Sequence, residues 1–131
     1  MTRIPRPRAL LALCLMVLAS VGLGLVATAG AAPTSAAVKT TRVTVKMTEY
    51  AFSFSKRSVP KGKVIFTVKN VGTISHDLVF VGLGKATPVF GPGQTKTLTV
   101  TFKKPGRYQY LCSVGEHALH GMRGVLRVTS A

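Results

Sequence analysis

The sequence predicts an all-β domain, a sandwich or barrel of short strands. Three observations carry that expectation. From Val43 onward apolar and polar residues alternate with period two, turn-forming residues separate the alternating runs, and no stretch of this part shows a sustained helical period.

The first quarter of the chain is of a different kind. Arg3, Arg6 and Arg8 precede an uncharged run from Ala9 to Gly30 that is rich in Leu and Val and ends in small residues at Ala27-Thr28-Ala29 and Ala29-Gly30-Ala31. A positive start, an apolar centre and an A-x-A exit describe a secretory signal over residues 1–32, with cleavage expected near residues 29–32. An uncleaved membrane anchor is the alternative, because the run approaches the ~20 residues that span a bilayer. Glycines 22, 24 and 30 loosen the run and favour cleavage. The expected location is therefore outside the cytoplasm: periplasmic, cell-surface or secreted. Cys14 lies inside the apolar run after Leu13 and is assigned no function.

Residues 33–41 are rich in Ala, Thr and Ser, which suits a flexible leader. The domain proper is expected over 42–131. Its first strand is read from Val43, Val45 and Met47 alternating with Thr44, Lys46 and Thr48. Next comes Val64, Phe66 and Val68 alternating with Ile65, Thr67 and Lys69, then Leu98, Val100 and Phe102 set between threonines 97, 99 and 101. The last is Leu126 and Val128 among Val125, Arg127 and Thr129. Pro60-Lys61-Gly62, Asn70-Val71-Gly72, Gly91-Pro92-Gly93 and Pro105-Gly106 supply the turns. Short strands spaced in this way point to an antiparallel arrangement. Tyr50, Phe52, Phe54, Tyr108 and Tyr110 are read as core or strand-packing aromatics, and Glu49 as structural.

Charge narrows the partners. Three of the 18 Lys and Arg lie in the signal, so 15 remain against Glu49, Asp77 and Glu116, a formal charge of +12. Such a surface attracts acidic proteins, anionic lipid headgroups or cell-wall polyanions, with strong salt dependence. Nucleic acid is not expected, because the chain is exported and its lysines are scattered along strands instead of gathered in a basic helix or arm.

Without the signal the chain holds one cysteine, Cys112, and in an oxidising compartment an odd thiol implies a partner chain, a reactive role or a metal. Its surroundings favour metal. Between Cys112 and Met122 lie one thiol, the imidazoles of His117 and His120 and one thioether, and His76 stands upstream before the run Asp77–Val81. A thiolate and two imidazoles with a weak axial thioether form the ligand set of an electron-transfer copper site. Zinc competes for Cys and His, but structural zinc takes four strong N or S ligands, and Met is a poor one. Spacing alone leaves His117 and His120 level.

The Tyr-x-Cys strand end at Tyr110 and Cys112, then His117, Met122 and Gly124, resembles the C-terminal loop of the cupredoxins, the small type 1 blue copper proteins that include plastocyanin, pseudoazurin and amicyanin. Asn70, Gly72 and His76 resemble the turn before that family's first histidine ligand, and Pro105-Gly106-Arg107-Tyr108 its turn into the cysteine strand. The resemblance spans about Val43 to Val128. It implies a Greek-key β-sandwich or barrel of the cupredoxin type, with one copper ion held by His76, Cys112 and His117 in the plane and Met122 on the axis. His120 is then a spare histidine beside the site. Two positions depart from the family pattern: Gly115-Glu116 stands where many members have Pro-Gly, and Asp77 where many have Asn. By analogy with that Asn, Asp77 is placed to bond to Ser113 and clip the two ligand loops together.

The resemblance implies a monomeric one-electron carrier serving redox partner proteins, docking through an apolar patch around His117 to which Ala118, Leu119, Pro92 and Val114 could contribute. An enzyme with coupled copper centres is not expected, since three histidines cannot build them. A copper-delivery protein is the second reading, for which His120 is an additional ligand.

Overall fold

The computed structural model describes residues 39–130. The expected signal and most of the leader lie outside the described residues. Among the described residues nine strands follow in order: β1 Thr41–Thr48, β2 Ala51–Phe54, β3 Ser58–Pro60, β4 Gly62–Asn70, β5 Val79–Phe80, β6 Lys85–Ala86, β7 Thr95–Phe102, β8 Gly106–Leu111 and β9 Arg123–Thr129. They form a four-stranded sheet, β2-β1-β4-β7, and a five-stranded sheet, β3-β9-β8-β5-β6. The fold is an all-β Greek-key sandwich.

Period-two patterning decides which face of each strand turns inward. Val43, Val45 and Met47 of β1 are buried, as are Val64, Phe66 and Val68 of β4, and Leu98, Val100 and Phe102 of β7. Across from them Leu126 and Val128 of β9 close the core. Its centre is aromatic: the Phe66 ring lies 5.1 Å from Phe80 and 6.4 Å from Phe102, and Phe80 lies 5.6 Å from Phe102. Edge-on and tilted pairs of this kind are favourable beyond their burial.

The sheets are mixed, not purely antiparallel. β1 runs parallel to β4, with Thr41 opposite Val64 and Met47 opposite Asn70, and β3 runs parallel to β9. Between β1 and β4 the chain passes through β2 in one sheet and β3 in the other, so β4 returns beside β1 in the same direction. Side-chain alternation is the same for either direction, which is why the pattern predicts strands but not their polarity.

This topology gathers the site at one end. The C-terminal ends of β4 and β8 and the start of β9 face one way, and the loops that leave them carry His76, Cys112 and Met122.

Candidate metal centre

Two loops deliver the site. The first leaves β4 at Asn70, whose buried side chain organises it: Nδ2 donates to the carbonyls of Ile74 (2.8 Å) and Phe90 (2.9 Å), and Oδ1 accepts from Gly72 N (3.0 Å). His76 then exchanges two backbone bonds with Phe90, at 3.2 and 3.0 Å. The imidazole that follows is fully buried. The second loop runs from Cys112 to Met122. Cys112 N donates to Met122 O (3.0 Å), Met122 N to His117 O (2.9 Å) and His117 N to Val114 O (3.1 Å), so the loop is fastened on itself. Cys112 and Met122 are both fully buried, and His117 is partly exposed.

Both histidines present Nδ1 to the thiol. His76 Nδ1 and His117 Nδ1 lie 3.2 Å apart, and Cys112 Sγ is 3.5 Å from His117 Nδ1 and 3.9 Å from His76 Nδ1. Among the described residues this triad is the one group of His, Cys, Asp and Glu with metal-binding proximity, its donor atoms all within 4.8 Å of one another. A metal at the centre of three such ligands, with bonds of about 2.0 Å to nitrogen and 2.3 Å to sulfur, separates its donors by about 3.5 and 3.7 Å. The observed spacings match that triangle, so the residues fit a mononuclear centre. A thiolate with two imidazoles also fits copper by ligand type.

The metal-free electrostatics follow from burial. Desolvation pushes the Cys112 thiol up, while desolvation and the neighbouring His117 hold His76 down. Both shifts favour the uncharged forms, so a metal binding there would displace the thiol proton.

Asp77 joins the two loops: Oδ1 accepts from Ser113 N at 2.6 Å and Oδ2 from Ser113 Oγ at 2.5 Å. His120 stands outside the triad. It is exposed, and its ring stacks on Tyr50 at 4.9 Å.

A third segment, not singled out by the sequence, reaches the site. The β1–β2 turn consists of Glu49 and Tyr50. Glu49 Oε1 accepts from Thr73 N (2.5 Å), Ile74 N (3.1 Å) and Thr73 Oγ1 (3.2 Å) and lies 3.6 Å from His76 Nε2. The Thr73 amide is the chief reason its carboxyl is lowered to about 2. Tyr50 is not the core or strand-packing aromatic expected, since it sits in a turn. It is 38 % exposed, holds a left-handed φ of 52°, and packs edge-on against His117 with the ring centres 5.1 Å apart. Such a backbone is costly for a bulky residue and is often found at functional sites. The remaining aromatics, Phe52, Phe54, Tyr108 and Tyr110, do pack against the core.

Comparison with known proteins agrees with this architecture. Residues 16–126 match the model of the cupredoxin-like domain family. No curated protein sequence matches the chain. Among solved structures, dithionite-reduced auracyanin from the photosynthetic bacterium Roseiflexus castenholzii is 26 % identical, with a TM-score of 0.59 over 68 % of this chain and 97 % of auracyanin. The azurin Az-iso2 of Methylomonas sp. strain J is 18 % identical, with a TM-score of 0.55 over 69 % of this chain and 98 % of azurin. A multicopper oxidase contains the same fold at 15 % identity and a TM-score of 0.55, over 68 % of this chain and 44 % of the oxidase chain. With the matched segment covering most of its length, the chain belongs to the cupredoxin-like domain family.

Proposed function

We propose that this chain is an exported one-electron carrier whose His76, Cys112, His117 and Met122 would hold a single copper ion. The observation that carries the reading is the convergence of two imidazole Nδ1 atoms and one buried thiol within 3.2–3.9 Å. Bound there, copper would supply reversible one-electron chemistry between Cu(II) and Cu(I).

The chain's own contribution is rigidity and access. The backbone bonds of the 112–122 loop, the Asp77–Ser113 contacts and the Asn70 network fix the donors before metal arrives, so little needs to move when charge changes. Burial of Cys112, His76 and Met122 excludes water, and His117 alone reaches the surface. Leu119, 77 % exposed, stands beside it, with Pro92 exposed and Ala118 and Val114 partly so. This is the proposed docking patch for redox partners with acidic surfaces.

Cation placement supports a second contact. Lys61, Lys63, Lys103, Lys104, Arg107 and Arg127 border the end opposite the metal centre, with no acid among them, whereas at the metal end Glu49, Asp77 and Glu116 offset Lys46, Lys69, Lys96 and Arg123. Attraction to acidic partners therefore acts through the overall charge more than through pairs at the port, and the far end suits an anionic membrane or cell wall.

Burial weighs against a delivery role. Met47 and Met122 are both fully buried and His120 stacks on Tyr50, so no accessible string of soft ligands leads outward among the described residues. Voltammetry and electron self-exchange of the copper-loaded protein test the assignment. A reversible one-electron wave with rapid self-exchange is expected. Slow self-exchange combined with ready loss of copper to a chelator would favour delivery instead.

A further inference from the structure

His76 has two ring nitrogens with different surroundings. Nδ1 faces Cys112 and His117, while Nε2 is buried and has no hydrogen-bond partner. Among the described residues, the carboxylate oxygen beside Nε2 is Glu49 Oε1, at 3.6 Å. That separation is beyond hydrogen-bond range, so the contact is electrostatic. The other acids are engaged elsewhere: Asp77 is bonded to Ser113, and Glu116 belongs to the 112–122 loop.

The loop before His76 is shaped around the Glu49 carboxylate. Three donors from Thr73 and Ile74 converge on Oε1. Gly72 completes the cradle by what it lacks, because a Cβ there would stand 2.5 Å from the same oxygen. The carboxylate is ionised at neutral pH. A neutral imidazole carries one proton, on either nitrogen. A negative oxygen near Nε2 favours the proton there and leaves the Nδ1 lone pair for the metal.

We infer that Glu49 is a positioning residue for His76, holding the imidazole in the Nε2–H tautomer with Nδ1 unprotonated and facing Cys112. The inference rests on the copper reading for its purpose, but its primary test needs no copper. Histidine ligands commonly have their second nitrogen oriented by a carboxylate or carbonyl. Here the group comes from a hairpin turn distant in sequence, whose other residue, Tyr50, packs on His117. One turn therefore touches both imidazoles of the triad.

The experiment is long-range proton–nitrogen NMR of the histidine rings in the metal-free protein, at a pH where the rings are neutral. Wild type should show His76 as the Nε2–H tautomer. Glu49→Ala should convert it to a mixture, and Glu49→Gln, which retains an acceptor oxygen, should restore most of the Nε2–H form. Gly72→Ala, which displaces the carboxylate without removing it, should act in the direction of Glu49→Ala and serves if that variant does not fold. After copper loading, the reduction potential should rise in Glu49→Ala and lie between the two in Glu49→Gln. A His76 tautomer unchanged in folded Glu49→Ala or Gly72→Ala would overturn the inference, even with lowered thermal stability, because it would reduce Glu49 to a loop fastener. A protein that shows the tautomer shift but binds no copper would sink the copper reading and leave the positioning role standing.

Discussion

Gly124 shows how closely single residues are constrained around the site. A Cβ there would lie 2.6 Å from Tyr110 Cζ and 2.9 Å from Cε2 and would collide with the hydroxyl. Tyr110 is itself held by Phe54, whose ring is 4.5 Å away. Gly124→Ala should therefore lower stability in urea unfolding by about 1–3 kcal/mol, the usual cost of overpacking. Glu49 makes a pH-dependent contribution. Its carboxyl is lowered from 4.5 to about 2 in the fold, so its stabilisation is complete above pH 4.5 and is lost as pH falls towards 2. Acid unfolding of metal-free Glu49→Gln should lose less stability across that window than wild type. His76, Cys112, His117 and Met122 stood out in the sequence because their side-chain chemistry is rare and partly clustered. Glu49 and Tyr50 did not, because nothing in local spacing reveals that a turn between β1 and β2 meets loops that follow β4 and β8.

Among elements, the two ligand loops are joined by hydrogen bonds to one carboxylate, that of Asp77. Asp77→Ala removes both acceptors of Ser113. Hydrogen bonds to charged groups contribute about 1.5–3 kcal/mol each, so a loss of that order is expected in unfolding experiments. Asp77→Asn retains one acceptor and should recover part of it. The long strands were legible because β1, β4, β7 and β9 alternate over enough residues to set a period. β5 and β6, two residues each, carry no period, and the parallel pairing of β1 with β4 leaves no trace in alternation. Asn70 became visible through the family resemblance. Its bonds to Ile74 and Phe90 show why an amide, with donors and an acceptor on one short side chain, serves at that corner.

For the whole molecule, all three acidic side chains lie at the metal end, so the charged side chains of the far end are cations. Sequence supplied the excess of cations, but only the strand registers place Arg107 directly across from Arg127 and far from the ligand loops. Like charges opposite each other are unfavourable unless an anion lies near. Binding to phosphatidylglycerol vesicles should weaken steeply as salt rises, and replacing Arg107 and Arg127 by Glu should weaken it further without moving the reduction potential. The fold brings a thiol and two imidazoles together at one end, the donors proposed to bind one copper ion. The visible absorption spectrum of the copper-loaded protein, recorded beside Cys112→Ser, tests this most directly. An intense thiolate-to-copper band that vanishes in Cys112→Ser is predicted; a colourless protein that takes up zinc in place of copper would contradict it.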